Sequence, residues 1–391
     1  MGSFTKFFSS RWGPVVAGAI IGIVAALLVW QGNPRNMGLC MGCFTRDTAG
    51  ALGLHRAAPA QYIRPEIAGL VLGALLASLL FREFRPRNGS APLVRFILGF
   101  FSSIGAMVFL GCPWRTYLRL SGGDWNAVVG LVGLVAGIGL GIAFLKRGFG
   151  LGRSHPAPSA AGWAMPVVAL ALLALLLAAP QFGKDAAGQP TGPVFFTPEG
   201  KGPGGSHAPL ALSLGAGLLL GFLAQRSRFC TVGALRDLIL LRDPHLFYGV
   251  LALLAGALAT NLALGQFKSG FDGQPIAHAV HLWNFMAMVL AGLCFTLAGG
   301  CPGRQIVLAG EGDGDAGVFF FGMLAGAAMS HNFCLAAVPA VAATENTPAV
   351  IGGPNSFGQF AVVTGLLVCA VLGLLMREPR AQNTQELLVE K

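Results

Sequence analysis

Apolar residues run through this chain in blocks of close to 20, separated by short polar breaks. A block of that length matches a helix crossing the hydrocarbon core of a bilayer. Such blocks fall at 14–30, 64–81, 93–111, 125–145, 164–180, 209–225, 246–264, 283–299, 316–338 and 357–376. Trp12 and Trp30 bracket the first of them, about 27 Å apart at the helical rise, which places an aromatic anchor at each interface. Lys6 and Arg11 precede that block. It ends in Trp30-Gln31-Gly32-Asn33-Pro34 and not at a small-residue cleavage site, so it reads as a span and not as a cleaved leader. The pattern predicts an all-α polytopic membrane protein with about ten transmembrane helices.

Between the blocks lie four segments too short to cross: 40–50, 112–121, 230–241 and 301–310. Ten helical residues reach about 15 Å. Each is expected to form a short or re-entrant helix, which survives at membrane depth only when buried in protein or facing water.

These short segments reveal a duplication. Gly111-Cys112-Pro113-Trp114-Arg115 returns as Gly300-Cys301-Pro302-Gly303-Arg304, and Asp124 and Asp313 each stand twelve positions past their cysteine. Cys40 with Arg46-Asp47 matches Cys230 with Arg236-Asp237 at the same offset. The two intervals, Cys40 to Cys112 and Cys230 to Cys301, are 72 and 71 positions. The chain reads as two copies of one unit: a first repeat over 1–180, a Gly/Pro-rich connector over 181–208, a second repeat over 209–376 and a polar tail over 377–391. Five spans per unit force the second copy to enter the membrane from the opposite side, the arrangement of many secondary transporters.

Composition fits this reading. Apolar residues make up 54% of the 391 positions and charged residues 11%, against roughly 25% charged in soluble chains. The 57 glycines suit close helix packing in lipid. The net charge of +10 arises from positive-inside loops or from an anionic substrate or partner. No long basic tract or soluble domain exists to bind nucleic acid. With the N-terminus inside, 17 of the 26 Lys and Arg residues fall on the inner side, which places both termini in the cytoplasm.

Candidate chemistry lies at the repeated cysteines. Proline suits the first helical position, so Cys112 and Cys301 become N-caps beside unbonded backbone N–H groups. A helix start favours anions. Arg115 and Arg304 lie within the same first turn, and Arg46 and Arg236 follow Cys40 and Cys230. Soft sulfur and N–H donors suit a sulfur- or selenium-bearing anion better than phosphate. Cys294, Cys334 and Cys369, without repeat partners, read as packing residues. Cys43 stays open: Cys40-x-x-Cys43 has the look of a redox or metal pair, but Gly233 stands at that place in the second unit. Zinc would need four ligands, and no second C-x-x-C or H-x-x-x-H is present, so neither metal nor cofactor is expected. Arg46-Asp47 and Arg236-Asp237 are expected to neutralise one another or line a water-filled vestibule. Asp124 and Asp313 are expected to cap the spans that follow. Ser330-His331-Asn332, a polar triplet in the ninth span, is expected to bond between helices.

A resemblance rests on further motifs. They are Asn33-Pro34, Gly38-Leu39-Cys40, the run from Arg46 to Ala57, Gln61-Tyr62-Ile63-Arg64-Pro65-Glu66, Phe84-Arg85-Pro86-Arg87, Gly111-Cys112-Pro113-Trp114-Arg115 and Gly122-Gly123-Asp124-Trp125-Asn126. In these the chain resembles the YeeE/YedE family of sulfur-transport membrane proteins over nearly its whole length, and more closely the YedE branch tied to selenium metabolism. The resemblance implies an hourglass-shaped body in the bacterial inner membrane. It implies central cysteines, here Cys40, Cys112 and Cys301 with Cys230 as repeat mate, that pass a thiosulfate-like or selenium anion inward through weak S–H bonds. It also implies a small cytoplasmic sulfurtransferase-like partner and no enzymatic activity. The residues alone leave open a membrane thiol–disulfide carrier.

Overall fold

The computed structural model describes residues 6–8, 10–179, 192–341 and 349–377. The first part of the expected connector and the tail from 378 lie outside the described residues. The first unit holds α1 (Trp12–Trp30), α2 (Met41–Ala51), α3 (Pro65–Leu80), α4 (Pro92–Phe109), α5 (Pro113–Ser121), α6 (Asn126–Lys146) and α7 (Ala164–Ala178). The second holds α8 (Leu210–Ser227), α9 (Thr231–Leu240), α10 (His245–Ala263), α11 (His281–Ala298), α12 (Pro302–Gly310), α13 (Gly314–Asn332) and α14 (Ser356–Leu375). All ten apolar blocks are helices, and the four short segments are α2, α5, α9 and α12. The protein is an all-α polytopic membrane protein.

Among the described residues, eight stretches are long and apolar enough to cross a membrane. Two of the expected spans fall short of that standard. Helix α7 has 15 residues, about 22 Å of rise against a core of about 30 Å. Helix α13 carries Asp315 and His331. It also ends at Asn332, six residues before the expected 338, because Cys334 turns the backbone to φ +54°.

Helix packing fixes the sense of the two units independently of α7. Helix α1 packs on α10, α3 on α8, α4 on α13 and α6 on α11, while α4 and α11 also meet. The first span of one unit thus pairs with the second of the other, and the third with the fourth, in both directions. Every pair runs parallel. Gly18 and Gly22 of α1 face Gly249 and Leu253, Gly69 and Gly73 of α3 face Leu214 and Leu218, Gly322 and Gly326 of α13 face Phe96 and Phe100, and Gly133 and Gly137 of α6 face Phe285 and Val289. The chain reverses between α1 and α3: Asn33, just past α1, bonds Glu66 at the start of α3 at 2.9 Å. Ser213 at the start of α8 bonds that same carboxylate at 3.0 Å. Helix α8 therefore runs with α3 and against α1, and the repeats are inverted.

The approach is close because glycine allows it. A methyl group on Gly18 would fall 1.9 Å from the Gly249 carbonyl oxygen, and one on Gly137 would fall 2.1 Å from that of Val289. In lipid, contacts of this kind hold helices together where no hydrophobic drive distinguishes them from the acyl chains. The fifth helices break the symmetry: α7 lies on α3, whereas α14 lies on α4 and α11.

Loops gather at two ends. One end joins Asn33 to Ala208 at 2.8 Å, Gly122 to Lys268 at 2.9 Å and Ala51 to Phe195 at 2.8 Å. The other joins Arg85 to Glu311 at 2.9 Å, pairs β1 (Arg87–Asn88) with β2 (His155–Pro156), and knots Arg226, Arg228 and Arg304 onto Glu83 and Glu311. Helices α2 and α5 run from mid-depth towards the first end. Helices α9 and α12 run from mid-depth towards the second.

Candidate functional site

Four short helices thus begin in the interior and diverge. Each starts at a repeated cysteine in extended conformation: Cys40 before α2, Cys112 before α5, Cys230 before α9 and Cys301 before α12. Pro113 and Pro302 occupy first helical positions, as the sequence predicted. All four thiols are free and buried.

Their local geometry repeats as well. Cys40 Sγ accepts the Cys43 N–H at 3.3 Å, and Cys230 Sγ accepts the Gly233 N–H at 3.2 Å. The cysteines then meet in pairs within each unit. Cys40 Sγ lies 3.6 Å from Cys112 Sγ, and the Cys301 N–H donates to Cys230 Sγ at 3.4 Å. The Cys112 sulfur also faces the N–H groups of Gly42 and Arg115, and the Cys301 sulfur those of Thr231 and Arg304. Trp114 closes the gap between the pairs. Its ring meets Phe229, the residue before Cys230, edge to face at 5.8 Å, and lies over Gly303. The four helix starts therefore turn their positive ends on one interior region, which favours negative charge.

The arginines sit less uniformly. Arg115 is fully buried, and its guanidinium is held by the carbonyls of Asn36 at 2.9 Å, Ile276 at 3.0 Å and Leu110. Its guanidinium also reaches the Cys43 sulfur, at 3.4 Å. Arg304 pairs with Glu311 at 3.2 Å. Arg236 pairs with Asp237 at 2.8 Å on the partly exposed side of α9. Arg46 pairs with Asp47 at 2.5 Å, and Asp47 takes Arg64 as well at 2.7 Å. Cys43 stands inside the first cysteine cluster, beside Cys40 and Arg115.

Arg46 also lines a cavity of about 360 Å³ at the α13 C-terminal end, with Leu110, Ile276, Ser330, His331 and Asn355. Leu110 stands two residues before Cys112, so this chamber reaches towards the first cysteine pair. The His331 ring lies 4.6 Å from that of His55, tilted by 35°. Asn332 donates to Leu54 O at 2.9 Å, in the loop after α2 and not in a neighbouring helix, and Ser330 bonds its own helix at Gly326, so the expected helix–helix bond is replaced by a helix–loop one. Asp313 caps α13 as expected, accepting the Ala316 N–H at 3.1 Å, whereas Asp124 stands one residue before the N-cap Trp125 of α6 and accepts the Asn126 N–H at 3.0 Å. Each also pairs an arginine, Arg119 at 2.6 Å and Arg87 at 2.7 Å.

Sequence reasoning passed over Arg64, Arg119, Trp114 and Tyr117, all buried around these starts. Trp114 and Tyr117 had one available signal: they stand in the repeated segment 112–121, yet the other copy has Gly303 and Ile306 in their places.

The profile of the family described as sulphur transport matches residues 1–140 and 226–390. The chain belongs to this family, the YeeE/YedE sulfur-transport proteins. Among curated relatives, the thiosulfate transporter TsuA of Escherichia coli (strain K12) is 33% identical over 96 residues, 25% of this chain and 27% of that protein. The matched stretch is thus about a quarter of the relative's length. A second relative, the fluoride-specific ion channel FluC 2 of Synechococcus sp. (strain CC9605), is 34% identical over 108 residues, 26% of this chain and 79% of that protein.

Proposed function

We propose that this multi-pass membrane protein is a permease for a small sulfur anion of the thiosulfate type or its selenium counterpart, passed between Cys40 and Cys112 on one side and Cys230 and Cys301 on the other. The observation that carries the reading is the convergence of four helix starts, each with its sulfur, in the middle of an inverted repeat. Backbone N–H groups and helix dipoles offset the cost of bringing a negative charge to that depth. Thiols are weak donors, so they hold a soft anion loosely enough to release it, which conduction requires. The cavity lined by Arg46 and His331 is the approach from one face. The arginine-rich end around Arg226, Arg228 and Arg304 is the cytoplasmic face of an inner membrane, with both termini on it, and would receive a small sulfurtransferase-like protein.

The test is uptake of labelled thiosulfate and selenite into proteoliposomes, with alanine at Cys40, Cys112, Cys230 and Cys301 in turn. Undiminished uptake in the Cys112→Ala and Cys301→Ala proteins would sink the reading. A thiol–disulfide carrier is a second reading, supported by the approach of Cys40 to Cys112 and by Cys43 beside them. It requires reversible pairing by thiolate exchange. Alkylation before and after reduction separates the two: cysteines that never pair leave the permease. Fluoride, suggested by the second relative's name, is a hard anion and matches buried thiols poorly.

A further inference from the structure

We infer that Trp114 and Tyr117 are a hard-donor station in this route, binding the oxygen atoms of the anion while the thiols receive its soft end. The inference rests on the permease reading and extends it. Both residues lie in the first turns of α5, 1% and 2% exposed. Among the described residues, neither the Trp114 Nε1–H nor the Tyr117 hydroxyl has a hydrogen-bond partner. Buried polar side chains are satisfied in the great majority of cases, so two orphans on one short helix call for a ligand.

Their position says which ligand. Trp114 belongs to the first unit but reaches into the second: Nε1 lies 3.1 Å from where a Cβ on Gly303 would stand, in the first turn of α12. Tyr117 lies within electrostatic reach of Cys230 and Cys301. Two unpartnered donors of the first unit thus lie beside the start of α12 and the second cysteine pair. The counterparts are Gly303 and Ile306, which donate nothing in return, so the two cysteine pairs are chemically unlike. An indole N–H can only donate, and a buried phenol is a strong neutral donor. Both suit the oxygens of an anion that also carries a sulfur or selenium terminus, and neither adds a charge that would trap it.

Labelled thiosulfate uptake into proteoliposomes tests this with three variants: Trp114→Phe, Trp114→His and Tyr117→Phe. Phenylalanine at 114 keeps an aromatic apolar filling and removes the N–H; histidine packs worse and restores a donor. The expected result is a drop of about tenfold or more in Trp114→Phe and in Tyr117→Phe, with Trp114→His recovering most of the loss. A filler role for Trp114 predicts the reverse order, phenylalanine above histidine, and that order overturns the inference. If the Trp114 variants do not yield monodisperse protein, Tyr117→Phe decides alone, and full uptake in it overturns the inference too. Wild-type vesicles that carry no thiosulfate would instead remove the permease reading beneath it.

Discussion

The Cys40 and Cys112 sulfurs, 72 positions apart in the chain, lie 3.6 Å from each other at the starts of two different helices. Neither helix could present its sulfur there alone. Helix α2 is brought back into the interior by the turn through Asn33 and Gly38, which bond each other at 3.0 Å. Helix α5 is set by the left-handed turn at Leu110, φ +61°, that ends α4.

Alanine at Cys112 or Cys301 is expected to lower thiosulfate uptake about ten- to hundredfold, the loss of one hydrogen bond to a charged group. Serine at the same places keeps a donor and is expected to retain most of the rate if the thiols act by hydrogen bonding. A covalent persulfide or selenosulfide step predicts that serine is as damaging as alanine. Initial uptake rates of the paired variants settle which applies.

Arg119 and Asp124 form an ion pair at 2.6 Å with both side chains fully buried. Removing one partner strands the other charge, so Asp124→Ala is expected to destabilise by about 3–5 kcal/mol. Replacing both with apolar residues of similar size is expected to restore much of that. Thermal unfolding in detergent, compared across the single and double variants, is the measurement.

The α1–α10 contact depends on Gly18. Its Cα faces the Gly249 carbonyl so closely that any side chain must part the helices. Gly18→Leu is expected to cost about 1–3 kcal/mol or more by overpacking. A melting temperature equal to wild type would show that this pair is looser than described.

His278 lies in the loop between α10 and α11 and is 1% exposed. Its Nε2–H donates to Val108 O at 2.9 Å, and its Nδ1 accepts the Val280 N–H at 3.3 Å, so the neutral ring is the one that fits. Burial pulls its pKa down from 6.5 to about 4, against the Val108 bond, which acts the other way. The unfolded chain takes up the proton first. The stability from His278 is therefore whole above the unfolded value and is lost as pH falls towards the folded one, at about 1.4 kcal/mol per pH unit. Unfolding scans at pH 7 and pH 5 are expected to differ less in His278→Gln than in wild type.

Much of the scaffold was legible in the chain because lipid demands it. Uninterrupted apolar blocks have few other uses, and all ten became helices. Cys-Pro marked two helix starts because proline is welcome only at a first turn. The end of α13 was misjudged because Phe333, Leu335 and Val338 are apolar, while the break comes from backbone geometry at Cys334 that no hydropathy registers. The arginines were harder. Spacing placed Arg115 and Arg304 in the first turn beside their cysteines, but not what each side chain would grasp. Arg115 takes carbonyls from Asn36 and Ile276, and Arg304 takes Glu311, partners distant in sequence or on the far side of a turn. Trp114 was quoted as part of a motif. Its meeting with Gly303 arises between units, which no single copy of the motif can reveal.

The opposed helix starts have a bearing on vectorial flow. The two inverted halves meet head to head with unlike cysteine pairs, so the barrier differs between its faces, yet a passive barrier of any profile cannot rectify. Net movement would then be governed by consumption of the cargo once it arrives. Under the proposed permease reading, a cell would steer accumulation through the avidity of whatever acceptor waits at the exit.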